Sequence, residues 1–216
     1  EDNRFIRGKG KYVDDVVLPG MLHMEILRSP VAHARIKSID TSAAEKLPGV
    51  KAVVTAKDFP EQPNLIVPTG EMQVNLRDIT RNVMAREKAL YESHPVAAVA
   101  ATTDAIANAA LALIKVEYQV LPHVIDVAEA MKDGAPLLHD HLITEGVKPV
   151  PTKPSNIAKR IEFAKGDTKA GFAKAEVIIE RSFTTQAVHQ GYIEPHATLA
   201  SASEDGQVQI WSTTQG

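Results

Sequence analysis

Residues 95–120 read PVAAVAATTDAIANAALALIKVEYQV, and this stretch decides the fold class. It opens on a short run of valine and alanine, typical of a buried strand. Thr103 then stands where a helix N-cap belongs. Apolar residues recur from Ala107 to Ile114 at the three- and four-residue spacing of a helix packed on a sheet. Residues 115–120 alternate as a strand does, so the stretch predicts an α+β fold with helices covering a sheet.

The residues upstream predict a compact β–β–α–β order. Residues 21–27 alternate after the turn signal Pro19-Gly20, residues 34–39 alternate approximately, and residues 50–55 form a short β-rich run. Between the last two strands, Ser42 and Glu45 have the spacing of a capping box, which predicts a short helix. Residues 59–81 contain three prolines and no clear period, so they predict a long surface loop.

The residues downstream of 135 change character. Residues 136–156 are rich in proline and are the best candidate for a linker between domains. Beyond them, residues 157–164 and 176–185 are predicted strands, and Asp167 is placed to cap a helix over residues 168–174. Asp205-Gly206 lies between two alternating runs, which is a strong hairpin signal.

Composition excludes several classes of protein. The chain has 216 residues, a net charge of −3 and 44% hydrophobic residues, values typical of a folded globular protein without a nucleic-acid footprint. It has no cysteine, so it cannot form disulfides or ligate an iron–sulfur cluster. No apolar run approaches the length of a membrane span.

Residues 188–196, VHQGYIEPH, are the best candidate for a functional site. Two histidines, a glutamine, a tyrosine and a glutamate are concentrated there, and Pro195 forbids a regular central strand. Polar groups on irregular backbone at a strand end are often functional, although satisfied polar groups at a domain joint are an alternative. A second alternative is a small metal site that uses His139 and His141, for which no further ligands are evident nearby.

The chain resembles the large, molybdenum-binding subunit of the xanthine dehydrogenase, aldehyde oxidase and carbon monoxide dehydrogenase family of molybdenum hydroxylases. The resemblance covers essentially the whole chain, and its first block is the most specific. The matching blocks, in order, are 4–15 (RFIRGKGKYVDD), 18–22 (LPGML), 28–36 (RSPVAHARI), 47–50 (LPGV), 55–58 (TAKD), 116–118 (VEY), 121–122 (LP), 166–167 (GD), 172–176 (FAKAE), 193–195 (IEP) and 211–216 (WSTTQG).

This resemblance implies a domain organisation and a chemistry. Residues 1–135 are expected to form an α/β hammerhead domain, residues 136–156 a linker and residues 157–216 the start of a molybdopterin-binding domain. The implied cofactor is molybdenum–molybdopterin, with cytosine dinucleotide as the expected form. The implied reaction hydroxylates an aldehyde, an N-heterocycle or a similar small carbon substrate with oxygen from water. Electrons then pass to partner chains that carry [2Fe–2S] clusters and FAD.

The resemblance also suggests site residues. Gln190 is the candidate for the glutamine that hydrogen-bonds a molybdenum oxo ligand, and Gln215 and Gly216 are further candidates for contact with the cofactor. Glu194 is expected in the substrate pocket, and no residue is predicted to ligate a metal directly. The glycine-rich loop and the catalytic glutamate of the family have no counterpart within these residues.

Three further expectations follow from the resemblance. The chain is expected to be the N-terminal part of a large subunit, either truncated or naturally split, and inactive without the rest. Its expected partners are that remainder, an iron–sulfur subunit and an FAD subunit, with no nucleic acid or membrane, and its expected location is the cytoplasm, with the periplasm as an alternative. A different class of function is a non-catalytic module that docks partner subunits.

Overall fold

The strands and helices alternate in the order expected of a mixed fold. The computed structural model describes residues 2–70 and 72–214. The strands are β1 (His23–Arg28), β2 (Ala34–Asp40), β3 (Val50–Thr55), β4 (Ile66–Thr69), β5 (Met72–Asn75), β6 (Lys88–Ala89), β7 (Pro95–Ala101), β8 (Lys115–Val120), β9 (Thr198–Ala202) and β10 (Val208–Ser212). The helices are α1 (Asp2–Phe5), α2 (Ser42–Glu45), α3 (Leu76–Val83), α4 (Asp104–Leu111), α5 (Val127–Ala130) and α6 (Thr168–Lys174). The predicted α+β class is confirmed.

Residues 22–163 form one compact unit, organised around β7. β7 pairs antiparallel with β1 on one side and β3 on the other. Helix α4 lies against β1 and β7 and buries Ala107 and Ala110, while Val99 is among the side chains of β7 that are fully buried. The predicted cap is confirmed, because the Thr103 hydroxyl accepts a hydrogen bond from the Ile106 amide at 3.2 Å. The local signals in residues 95–120 therefore agree with the packing.

A second antiparallel sheet in this unit has β2 at its centre, between β6 and β8. Ala34 on β2 is fully buried, and the pairing with β8 shifts register between Ile36 and Ser38. The helix after β2 begins differently from the prediction. Thr41 is its N-cap and Ser42 its first helical residue, because the Asp40 carboxylate already accepts both the amide and the hydroxyl of Ser42. The predicted Ser42–Glu45 capping box is therefore wrong.

Residues 59–81 are not one long loop, so that prediction is wrong as well. β4 and β5 form a two-stranded hairpin, with Gly70 at the turn at φ +67°, and α3 follows directly. The side chain of Asn75 caps α3 by accepting a hydrogen bond from the Asp78 amide. Prolines made this region resemble a loop, yet an isolated hairpin is all edge, and proline is tolerated on edge strands.

A buried histidine, His94, immediately precedes β7. His94 is 0% exposed, its Nδ1 accepts a hydrogen bond from the Leu90 amide at 3.2 Å, and its Nε2 donates to the Arg81 carbonyl at 3.0 Å. The ring of Tyr91 stacks on it with centroids 4.4 Å apart. Burial lowers the pKa of His94, since the charged imidazolium is poorly solvated there.

Residues 136–163 belong to this unit and contain no regular strand. The side chain of Asn156 donates to the carbonyls of Ala130 and Pro136, at 3.1 and 2.9 Å, and accepts from the Leu138 amide at 3.2 Å. The predicted strand at 157–164 is wrong: one isolated bridge between Glu145 and Lys159 is the β-pairing described there. The predicted domain limits at residues 135 and 156 remain a prediction.

The described residues before 22 and after 163 form a second compact unit. The predicted hairpin is present: β9 pairs with β10, with Leu199 opposite Trp211, and Gly206 occupies the turn at φ +84°. The predicted cap of α6 is also present, since Asp167 accepts a hydrogen bond from the Ala170 amide at 2.8 Å.

The long strand predicted at residues 176–185 does not form. This segment has no regular secondary structure, and Val177 and Phe183 are largely exposed. The reason is the lack of a neighbour: among the described residues, no strand pairs with it, and an extended backbone without a ladder is not a strand. No helix in the described part of the chain has the length and apolarity that crossing a membrane requires.

Candidate functional site

Residues 188–196 lie on irregular backbone just before β9. Pro195 lacks an amide hydrogen, and Gly191 adopts φ +69°, a left-handed conformation that other residues rarely take. These two residues keep the segment out of the hairpin ladder and fold it into a bend. The side chains of the segment therefore meet each other instead of alternating across a sheet.

Two histidines of this segment converge on one tyrosine. The hydroxyl of Tyr192 is 3.2 Å from Nε2 of His189 and makes a short contact with Nε2 of His196. The ring centroids are 4.7 Å apart in the first pair and 4.9 Å apart in the second. We call these three residues the His–Tyr–His cluster. The sequence marks this segment but not the cluster, because the convergence depends on the positive φ of Gly191 and the bend at residues 193–194.

Gln190 and Glu194 flank Tyr192 but do not join the cluster. The side chain of Gln190 is exposed, that of Glu194 is half-buried, and neither makes a hydrogen bond within the described residues. Both are therefore available to an external polar group. Gln215 and Gly216, the other two predicted contacts, lie outside the described residues.

The end of β10 is tied to the end of this segment. Thr213 and Ala197 exchange backbone and side-chain hydrogen bonds, with the Ala197 amide donating to the Thr213 hydroxyl at 3.1 Å and the Thr213 amide donating to the Ala197 carbonyl at 3.2 Å. Ala197 directly follows His196, and Thr213 stands two residues before Gln215. The hairpin thus brings Thr213 next to the end of the candidate segment.

His139 and His141 occupy a different place, in the unit of residues 22–163. Nε2 of His141 lies 3.1 Å from a carboxylate oxygen of Asp78, and Nζ of Lys88 donates to Asp140 at 3.1 Å. The hydrogen bond from Lys88 is the main reason that the pKa of Asp140 is lowered. Burial lowers the pKa of His139, as does the neighbouring His141.

These residues border a cavity of about 40 Å³, room for little more than water. Across residues 2–70 and 72–214, no three His, Asp or Glu side chains are arranged to hold a metal ion. The alternative of a histidine metal centre at His139 and His141 therefore finds no third ligand in the described structure. Hydrogen bonds from Lys88 to the Leu138 carbonyl and to Asp140, together with the contact between His141 and Asp78, instead attach residues 138–141 to α3 and β6.

The residues around 188–196 suit a metal that brings its own ligands. The chain has no thiolate to offer, whereas molybdopterin supplies sulfur ligands itself. What the segment does present is an amide at Gln190 and a carboxylate at Glu194, both without a partner among the described residues. Such groups can bind the polar edge of a cofactor, so the donor set fits.

Comparison with known families decides the assignment. Residues 7–122 match the family model described as aldehyde oxidase and xanthine dehydrogenase, a/b hammerhead domain. The chain belongs to the aldehyde oxidase and xanthine dehydrogenase family. Residues 150–216 match a molybdopterin cofactor-binding domain, which includes the candidate segment. The predicted family and the predicted pair of folds are therefore confirmed.

Individual members of the family resemble the whole chain. The carbon monoxide dehydrogenase large chain of Afipia carboxidovorans is 40% identical over 100% of this chain, which spans 26% of that relative. Subunit gamma of the 6-hydroxypseudooxynicotine dehydrogenase complex of Paenarthrobacter nicotinovorans is 36% identical over 99% of the chain and is likewise covered to 26%. The chain thus spans about a quarter of the length of these relatives.

Solved structures in the family agree with the fold. A crystal structure of Cu,Mo-CO dehydrogenase is 38% identical and has a TM-score of 0.77, over 99% of this chain and 26% of that one. Quinoline 2-oxidoreductase from Pseudomonas putida 86 is 30% identical with a TM-score of 0.80, over the same shares. The family membership therefore rests on fold as well as on sequence.

Proposed function

We propose that this chain contributes the hammerhead domain and the first part of the cofactor-binding domain to the large subunit of a molybdenum hydroxylase. The observation that carries the proposal is the molybdopterin cofactor-binding match over residues 150–216, which contains an exposed amide at Gln190 and a half-buried carboxylate at Glu194. Relatives named as dehydrogenase large chains and complex subunits support the same role.

The cofactor, when bound, supplies the oxidation of a carbon substrate with oxygen from water. The residues of this chain bind the cofactor and orient the substrate beside it. The Gln190 amide donates a hydrogen bond to an oxygen of the cofactor, which holds it in one orientation. The carboxylate of Glu194 accepts a hydrogen bond from a substrate, an aldehyde or an N-heterocycle, and so aligns its carbon. Gln215 and Gly216 add backbone and amide contacts to the cofactor.

Partner chains carry the electrons away in this proposal. These 216 residues have no cysteine to ligate a [2Fe–2S] cluster, and we propose that an iron–sulfur subunit holds the clusters and another subunit holds FAD. Cytosine dinucleotide is the proposed form of the pterin. In this arrangement the hammerhead domain provides the surface and the candidate segment provides the cofactor contacts.

Elemental analysis tests the proposal directly. The chain is purified with its natural partners, and molybdenum is measured by mass spectrometry against protein concentration. We expect molybdenum in stoichiometric amounts. A complex that oxidises its substrate without molybdenum would falsify the proposal. A complex that assembles without metal and without activity favours the alternative, a non-catalytic docking module.

Glutamine variants then separate the roles of the two candidates. Gln190→Ala and Gln215→Ala are compared with Gln119→Ala, an exposed glutamine on β8 in the other unit. We expect Gln190→Ala to lower kcat about tenfold or more while molybdenum content is kept, as loss of an electrostatic contact in an active site does. Unchanged turnover in Gln190→Ala with loss in Gln215→Ala would transfer the role to Gln215.

A further inference from the structure

The His–Tyr–His cluster has a defined direction of hydrogen bonding. The Gly191 amide donates to Nδ1 of His189 at 3.0 Å, so this nitrogen carries no proton. A neutral imidazole has one proton, which must then reside on Nε2 of His189. That nitrogen faces the Tyr192 hydroxyl oxygen at 3.2 Å and donates to it.

The direction continues through the tyrosine. A phenol oxygen that accepts from His189 still has its own proton to donate, and the remaining neighbour is Nε2 of His196. His196 therefore accepts at Nε2 and carries its proton on Nδ1. The two histidines are therefore held in opposite tautomers, and both hydrogen bonds run in the same direction, from His189 to Tyr192 and from Tyr192 to His196.

We propose that His189, Tyr192 and His196 form a proton relay that moves protons from His189 to His196 along the candidate segment. A proton from solvent binds Nδ1 of His189 in place of the Gly191 amide. The N–H bond at Nε2 of His189 breaks as an O–H bond forms on Tyr192. The original O–H bond of Tyr192 breaks as an N–H bond forms at Nε2 of His196, and the Nδ1 proton of His196 then leaves. One positive charge moves, and no electrons are transferred.

Surroundings favour a relay over a purely structural cluster. All three rings are exposed, so both ends can exchange protons with water or with a bound molecule. The relay itself does not depend on the proposed function; only its purpose does, because hydroxylation with water releases protons that must leave the site.

The chain contains a matched pair that lacks this property. Tyr91 stacks on His94 much as Tyr192 stacks on His196, but the Tyr91 hydroxyl donates to the Asn82 carbonyl, and Nε2 of His94 donates to the Arg81 carbonyl. Carbonyls accept protons in hydrogen bonds but do not pass them on. Tyr91→Phe is therefore the control for Tyr192→Phe.

Ring-labelled histidine NMR on the full chain tests the relay without any cofactor. Nitrogen shifts report which ring nitrogen carries the proton for each of the 8 histidines. We expect the Nε2–H tautomer for His189 and the Nδ1–H tautomer for His196. Tyr192→Phe should abolish the fixed tautomer of His196, and Tyr91→Phe should not. Identical tautomers at both positions, or no change in Tyr192→Phe, would overturn the relay.

Turnover of the molybdenum-loaded complex tests whether catalysis uses the relay. We expect Tyr192→Phe to keep its molybdenum and to turn over about tenfold more slowly or worse, with an altered solvent deuterium isotope effect. Wild-type turnover and an unchanged isotope effect in Tyr192→Phe would rule out this use. A complex without molybdenum in every variant would contradict the proposed function alone, because the NMR result stands independently of the metal.

Discussion

Strand β7 and residues 176–185 both contain valine and are both predicted as strands, but only β7 forms one. Val99 in β7 is 0% exposed, between two neighbouring strands and beneath α4, whereas Val177 is 76% exposed on irregular backbone. Valine favours a strand in both places, and the second segment adds isoleucine. The difference teaches that a strand is made by its neighbours: β7 has β1 and β3, and residues 176–185 have no paired strand among the described residues.

The sharpest way to break this comparison is to place a charge at both valines. Val99→Asp should lower the free energy of unfolding by more than about 4 kcal/mol, because it buries a carboxylate without a partner. Val177→Asp should change it by less than about 0.5 kcal/mol, because the side chain stays in water. Urea unfolding followed by circular dichroism measures both.

Val99→Ala keeps the test informative when the aspartate variant does not fold. Removing two methyl groups from this site should cost about 2 kcal/mol, including the cavity left behind. Val177→Ala is its matched control. Equal costs at the two positions would mean that residues 176–185 are buried in solution, and the comparison would fail.

Substitutions of Asn156 test whether residues 136–163 are as well ordered as the sheet around β7. Asn156→Ala removes two donated hydrogen bonds and one accepted hydrogen bond, which leaves half-buried backbone groups unpaired and should cost about 2 kcal/mol. Asn156→Asp keeps the acceptor for Leu138 and loses the donors. Hydrogen exchange at Leu138 should therefore quicken in Asn156→Ala and less so in Asn156→Asp; equal protection in all three proteins contradicts the role.

Acidification should weaken the packed sheet through His94. Because burial lowers the pKa of His94 in the folded chain, the unfolded chain binds the proton more readily. The contribution of His94 is therefore complete above its ordinary pKa of 6.5 and is lost as the pH falls from there toward the lowered value. The slope cannot exceed about 1.4 kcal/mol per pH unit for one proton.

The measurement is stability against pH for the wild type and for His94→Gln. We expect the wild type to lose stability below pH 6.5 and His94→Gln to show a flatter profile. His23→Gln is the control, since His23 is partly exposed beside Asp104. A profile for His94→Gln that parallels the wild type would assign the pH dependence elsewhere.

The smallest effect is expected in the hairpin next to the candidate segment. Gly206→Ala should cost about 1 kcal/mol, since alanine is strained at φ +84°. Gly171→Ala is the control: Gly171 lies in α6 with open space around it, and alanine there should be neutral or slightly stabilising. Melting temperatures compare the two, and a stabilising Gly206→Ala would show that the turn differs from the one described.

Local signals explain what could be predicted from the sequence. Thr103 and Asp167 cap helices because their side chains reach amides three residues on, a contact that lies within a few residues of chain. Asp205-Gly206 similarly specifies its own turn. The hairpin at residues 66–75 is not evident from the sequence because Pro68 and the two prolines before it are typical of a loop. The strand predicted at 176–185 is wrong because pairing is not a local property.

The candidate site also has features that the sequence predicts and features that it does not. Residues 188–196 stand out in the sequence because polar groups are concentrated beside a proline. The convergence of His189 and His196 on Tyr192 depends on the positive φ of Gly191 and on the backbone bend at residues 193–194, which no spacing rule specifies. The roles of Gln190, Glu194, Gln215 and Gly216 stay predictions, because each depends on a cofactor that lies outside the chain.

Four of the seven residues of β7 are alanine, and this composition limits how the sheet can evolve. Ala97 and Ala101 have no exposed surface, so a larger side chain at either position would have to displace α4 or a neighbouring strand. Glycine, the one smaller residue, would loosen the strand backbone. Random mutagenesis should therefore find few larger or smaller residues tolerated at these alanines. The exposed Val177, Ile178 and Ile179 should accept polar replacements freely.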